Sequence, residues 1–169
     1  KALINKKLLG LFCYSFVILG VSGTIFVMYQ PYFRATGLPL YYYGYVFAAF
    51  SIFAAIASLK ANYIEKKIGT YWSLALMPLF IAASLIGASL VFMWAGFMFF
   101  FLRELVRGYM FPVLGAYTNQ ITSSSERATV LSVGNLFSRI GLIVITTTVG
   151  FLSDSYGLKS LLLAAGLIC

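Results

Sequence analysis

The sequence has no histidine, only four acidic residues among 169, and charge at just 9% of its positions. A soluble domain carries about 25% charged residues, so this chain has too few to clothe a water-facing surface. Without histidine there is no Ser-His-Asp triad, no His-ligated metal and no imidazole switch. The two cysteines, Cys13 and Cys169, each lie inside an apolar run, which supports neither a disulfide framework nor a thiolate metal site. No glycine-rich loop ending in Lys-Ser or Lys-Thr is there to cradle a phosphate. A soluble enzyme, a secreted disulfide scaffold and a disordered tail are excluded, and no cofactor or metal is expected. An intramembrane enzyme would be left with Ser or Tyr chemistry alone.

What is present is apolar, at 62% of positions, with twelve Lys and Arg giving a net charge of +8. In a soluble protein that excess would suggest nucleic acid. Here the basic residues sit between long apolar runs, where they report membrane orientation instead. The expected partner is a lipid bilayer, with no nucleic acid, and the expected fold is an all-α polytopic helical bundle.

A spanning helix needs about 20 mostly apolar residues. The chain offers five such stretches and a shorter sixth, at about 8–30, 41–59, 71–93, 96–116, 128–152 and 159–169. The first ends at Pro31, the second at the charged stretch Lys60 to Lys67. Tyr71 to Leu102 contains no charge for 32 residues, which as one helix would be roughly 48 Å long. The hydrocarbon core is about 30 Å thick, so the run must fold back, and Trp94 followed by Gly96 is the natural place because Trp favours the interface. A loop at Arg103 to Arg107 instead would leave about a dozen residues before the polar stretch Thr118 to Arg127, too few to cross. The chain begins with Lys1 and stops at Cys169 within an apolar run, which reads as a piece of something longer.

Lys1, Lys6, Lys7, Lys60, Lys66, Lys67 and Arg127 lie on the amino-terminal side, seven against Arg34 and Lys159 on the other. The positive-inside rule therefore places the amino end in the cytoplasm. Small residues four apart, Ala54 with Ser58, Ala57 with Ala61 and Ala83 with Gly87, let helix backbones approach closely. The aromatic clusters Tyr41 to Tyr43 and Phe99 to Phe101 read as lipid-facing bulk or interfacial anchors. Gln30, Asn119 and Asn135 read as helix–helix hydrogen bonds or caps.

Arg103, Glu104, Arg107 and Arg139 are the residues that point to function. Counting from Gly96, Arg103 lies roughly 10 Å deep, Glu104 about 12 Å and Arg107 about 16 Å; counting from Ala128, Arg139 lies about 16 Å deep. Charges at that depth cost several kcal/mol each unless they pair or meet water. Arg103 and Arg107 share a helix face, and Glu104 is close enough to Arg107 to pair. One carboxylate cannot neutralise three guanidiniums. The surplus needs a carboxylate on other helices, a water-filled cavity or an anionic substrate group; the structural alternative is an ion-pair network that only locks two helices together. Glu104 is the single acid within a span, the one side chain there able to carry a coupling proton. Gly108, Pro112 and Gly115 permit a kink just below these charges.

The stretch Arg103, Arg107-Gly108, Pro112, Tyr117, Asn119, Arg127-Ala-Thr-Val-Leu-Ser132 and Gly150-Phe-Leu-Ser-Asp154-Ser-Tyr-Gly157 resembles the carboxy-terminal half of a major facilitator superfamily permease of bacterial type. Gln30-Pro31-Tyr32 with Gly37 and Gly44 is similar to the end of that family's seventh helix. The resemblance implies one half of a twelve-helix fold, completed by an amino-terminal half of the same polypeptide, in a plasma (bacterial inner) membrane. It implies a secondary active transporter that moves a small-molecule substrate by alternating access, with proton-coupled export as its leaning. Its gating loop, Gly-x-x-x-Asp-Arg-x-Gly in the family, would correspond to Ala61-Asn-Tyr-Ile-Glu65-Lys66-Lys67-Ile-Gly69. This stretch keeps the acid–base character but lacks the first Gly and carries the last one residue later. The better match, Gly150 to Gly157, falls on the outer side without the basic residue. The resemblance also places Arg103, Glu104 and Arg107 beside the central cavity, with Arg139 in the same network. A complete six-helix protein, acting as a substrate-binding subunit or an oligomeric channel, is the alternative.

Overall fold

A computed structural model describes residues 6–168, so Lys1, counted above for orientation, and Cys169 lie outside the described residues. Within them the chain is helical, with no strand. The helices are α1 (Lys6–Ala35), α2 (Tyr43–Ile68), α3 (Thr70–Leu90), α4 (Phe100–Ile121), α5 (Arg127–Tyr156) and α6 (Leu158–Ile168). Four segments are long and apolar enough to cross a membrane: α1, Leu40–Ile68, α3 and α5. α4 has the length, with 22 residues, but Arg103, Glu104 and Arg107 set it apart, and α6 runs for only 11.

Three boundaries differ from the sequence expectation. α1 does not end at Pro31; that residue lies inside the helix. Pro31 removes one backbone donor, a loss that neighbouring helices make tolerable in an apolar helix. Tyr32 and Phe33, just beyond it, are fully buried, and the Tyr32 hydroxyl donates to the Ala88 carbonyl at 3.0 Å. That burial holds the chain helical through the proline.

The reversal after α3 falls where Trp94 suggested, but it is longer than a simple turn. α3 stops at Leu90, Met93 is extended, and Trp94–Phe99 forms a 3₁₀ segment before the α-helix resumes at Phe100. Phe100 itself is fully buried against Tyr29 and Tyr32. It is therefore a core residue and not the lipid-facing bulk expected of its cluster, whereas Tyr41 and Tyr42 are exposed.

The third difference concerns the expected gating loop. Glu65, Lys66 and Lys67 occupy the last turn of α2, and the connection to α3 is Gly69 alone. No breaker precedes Gly69, so the helix continues until a residue can take φ +80° and ψ 158°, a region open essentially only to glycine.

Packing pairs α1 with α5, α2 with α4, and α3 with both α4 and α6. Small residues set two of these approaches. Ala54, Ala57 and Ala61 form the buried stripe of α2, and Gly108 of α4 lies so close to it that a Cβ there would sit 2.0 Å from the Ala54 carbonyl oxygen. Between α1 and α5 a Cβ on Gly141 would sit 2.3 Å from the Phe16 carbonyl oxygen, and Thr24 and Thr146 share a hydrogen bond of 2.8 Å. Close backbone contact and interhelical hydroxyl bonds are what hold helices together where water supplies no hydrophobic force.

Candidate functional site

The charged residues of α4 face α1. Arg103 is 2% exposed and Glu104 1%, so neither has water to solvate it, and both must be satisfied by protein groups. They are. One terminal nitrogen of Arg103 donates to Glu104 Oε1, while its Nε donates to the Ser22 carbonyl at 3.1 Å and its other terminal nitrogen to the same oxygen. Arg107, a turn further along, donates from Nε to Glu104 Oε2. Tyr29 completes the set by donating its hydroxyl to Glu104 Oε1 at 2.7 Å. One carboxylate thus holds two guanidiniums and a phenol.

The Arg103 guanidinium also lies 5.6 Å from the Tyr29 ring centroid and 5.9 Å from that of Phe26, within reach of cation–π attraction. Two aromatic rings and three hydrogen bonds therefore fix the Arg103 guanidinium in place. Arg107 differs, because a third of its side chain remains exposed and only its Nε is bonded among the described residues.

These groups open onto a cavity of about 420 Å³ between α1, α4 and α5. Ser22 and Phe26 of α1, Arg103 and Arg107 of α4, and Asn135, Ser138 and Arg139 of α5 line it. Arg139 shares this cavity but not the ion pairs. It is exposed, and among the described residues it makes neither a salt bridge nor a hydrogen bond. Asn135, expected to serve helix packing, faces the same space.

Gly108 and Pro112 do not interrupt α4, which is helical from Phe100 to Ile121. Gly108 serves the close approach to Ala54 described above. Of the expected gating residues, Glu65 accepts a hydrogen bond from the Thr70 hydroxyl across the Gly69 turn, and Lys66 and Lys67 are exposed. None of the four lines the cavity. An apolar cleft of about 460 Å³ between α2, α3 and α4, with Lys60 at its edge, shares no residue with it.

Sequence reasoning missed Ser22 and Tyr29. Ser15, Ser22 and Tyr29 recur every seven residues and are all buried; polar groups repeating on one face of an apolar helix were the available signal.

The sequence profile of the Major Facilitator Superfamily matches residues 10–169, a range that includes every residue of the cluster. No curated protein and no solved structure matches the chain.

Proposed function

The chain belongs to the major facilitator superfamily, and on that premise we propose that it acts in a secondary active transporter exporting a small molecule by alternating access against an inward flow of protons. One observation carries the proposal: Glu104, buried behind the cavity lining, accepts from both Arg103 and Arg107, which do line it. A proton arriving there removes the charge that pairs them and replaces an acceptor with a donor. Arg107 is released toward the cavity, and Tyr29 must reorient.

Two of the bonds join helices. Tyr29 ties α1 to α4 through Glu104, and Arg103 ties α4 to α1 through the Ser22 carbonyl. Protonation therefore acts on the fit between α1 and α4, inside one of the two halves that rock against each other in such a mechanism. Export is the direction that the motifs shared with bacterial permeases imply. A second six-helix half would form the opposite wall. The excess of Lys and Arg on the amino-terminal side of the spans favours a cytoplasmic amino end in the plasma membrane.

The experiment uses everted membrane vesicles with an acidic interior. A transported compound is recognised by its collapse of that gradient, and Glu104→Gln is then compared with the parent. Gln keeps the side-chain size but cannot titrate. Gradient-driven accumulation should be lost while exchange of substrate across the membrane persists. Accumulation at the parent level in Glu104→Gln would remove Glu104 from coupling.

A further inference from the structure

Three guanidiniums meet at one cavity with a single carboxylate. Each of the three nitrogens of Arg103 already donates to Ser22 or Glu104. Arg107 has only its Nε engaged, and Arg139 has no partner among the described residues. Glu104 can balance one positive charge of the three. Two unneutralised charges consequently line an open pocket whose other walls are largely apolar, and at membrane depth such charges call for an anionic partner or water.

The remaining lining describes what enters. Asn135 and Ser138 stand on α5 beside Arg139. Ser22 contributes a hydroxyl that is completely buried, lines the cavity, and has no hydrogen-bond partner. Around these groups the wall is Phe26, Val27, Phe111 and Leu142. A volume of about 420 Å³ falls within the range of sites that enclose small organic ligands. Unlike a point ammonium, guanidinium presents paired donors that match a carboxylate or phosphate in a two-point contact.

We infer that this cavity takes the anionic head of an amphipathic organic solute, with Arg139 and the unbonded edge of Arg107 holding the charge and the aromatic wall holding the apolar body. This rests on the transporter reading for its purpose, but binding is a separate property and is measured separately. Arg103 belongs to the frame of the site and not to its grip on the solute.

The test is equilibrium dialysis of the purified protein in neutral detergent, without any gradient, using radiolabelled naphthoate, naphthamide and naphthylmethylammonium. The three share an apolar body and differ in charge. Naphthoate should be retained, the amide more weakly by roughly tenfold or more, and the ammonium not at all. Arg139→Gln should weaken naphthoate roughly 10- to 100-fold and leave naphthamide unchanged. Arg139→Lys, which keeps the charge but loses the paired donors, should bind naphthoate more weakly than the parent and more tightly than Arg139→Gln, and Arg107→Gln, monitored for a parent-like thermal transition, should weaken naphthoate alone.

Equal binding of acid and amide, parent-like naphthoate binding in Arg139→Gln, or no retention of naphthoate would each overturn the inference. Displacement of naphthoate by phosphatidylglycerol through Arg139 would assign the positive charge to a lipid headgroup and likewise overturn it. Anion binding without gradient-driven transport would sink the transporter reading and leave this one standing. Transport of a neutral or cationic compound without anion binding would do the reverse.

Discussion

Gly108 of α4 sits directly on the carbonyl of Ala54 in α2: a methyl group added at Gly108 would lie 2.0 Å from the oxygen and 2.8 Å from the carbon. Both clashes are with backbone, so no side chain can swing aside to relieve them. The two helices meet at this point because neither presents a side chain larger than Ala.

Gly108→Ala should therefore destabilise the protein by about 1–3 kcal/mol, the usual cost of overpacking, despite improving helix propensity by about 1 kcal/mol. Thermal unfolding in detergent checks it. A glycine placed there only to bend the helix would accept Ala with a neutral or raised transition.

Tyr29→Phe keeps the ring in its cluster with Phe33, Phe50 and Phe100 and removes only the hydroxyl that donates to Glu104. Loss of a buried hydrogen bond to a charged group should cost about 1.5–3 kcal/mol. A denaturation midpoint indistinguishable from the parent would mean that the carboxylate is satisfied without Tyr29.

Arg103 and Arg139 should separate cleanly. Arg103→Gln leaves Glu104 and the Ser22 carbonyl short of their donor and should destabilise by about 3–5 kcal/mol, as breaking one side of a buried pair does. Arg139→Gln removes an exposed, unpaired side chain and should stay within about 0.5 kcal/mol. Equal losses in the two variants would show that Arg139 is a structural partner as well.

Gly69 has φ +80° and forms the whole connection between α2 and α3. Gly69→Ala should cost about 1–3 kcal/mol from backbone strain alone, since nothing lies within 4 Å of the added methyl. An unchanged thermal transition would show that the turn relaxes to another conformation.

The helical architecture was legible because each apolar run has to satisfy its own backbone; counting residues from Gly96 gave Arg103 and Glu104 a depth but not the partners that bury them. Local signals failed where tertiary contacts decide. Pro31 reads as a helix end until Tyr32 and Phe33 are seen to be buried beyond it. Glu65, Lys66 and Lys67 read as a loop because charge was taken for a break, yet a charged turn of helix that emerges from an apolar layer is fully compatible with helical backbone. The close approach of Gly108 to Ala54 could not be read locally, because the two lie 54 positions apart in sequence. Arg139 was expected to join the ion pairs; depth along two helices could place it at the right level but says nothing of its azimuth.

The bonds between α1 and α4 also bear on how the protein is made. α1 is sufficiently apolar to enter a bilayer unaided, but α4 arrives carrying two arginines and one glutamate in its first two turns, and insertion of such a segment is unfavourable. The Ser22 carbonyl and the Tyr29 hydroxyl that accommodate those charges have both been synthesised some 75 residues earlier. Helix α1 should therefore ease the entry of α4 into the bilayer, and a nascent chain deprived of it should insert α4 less efficiently.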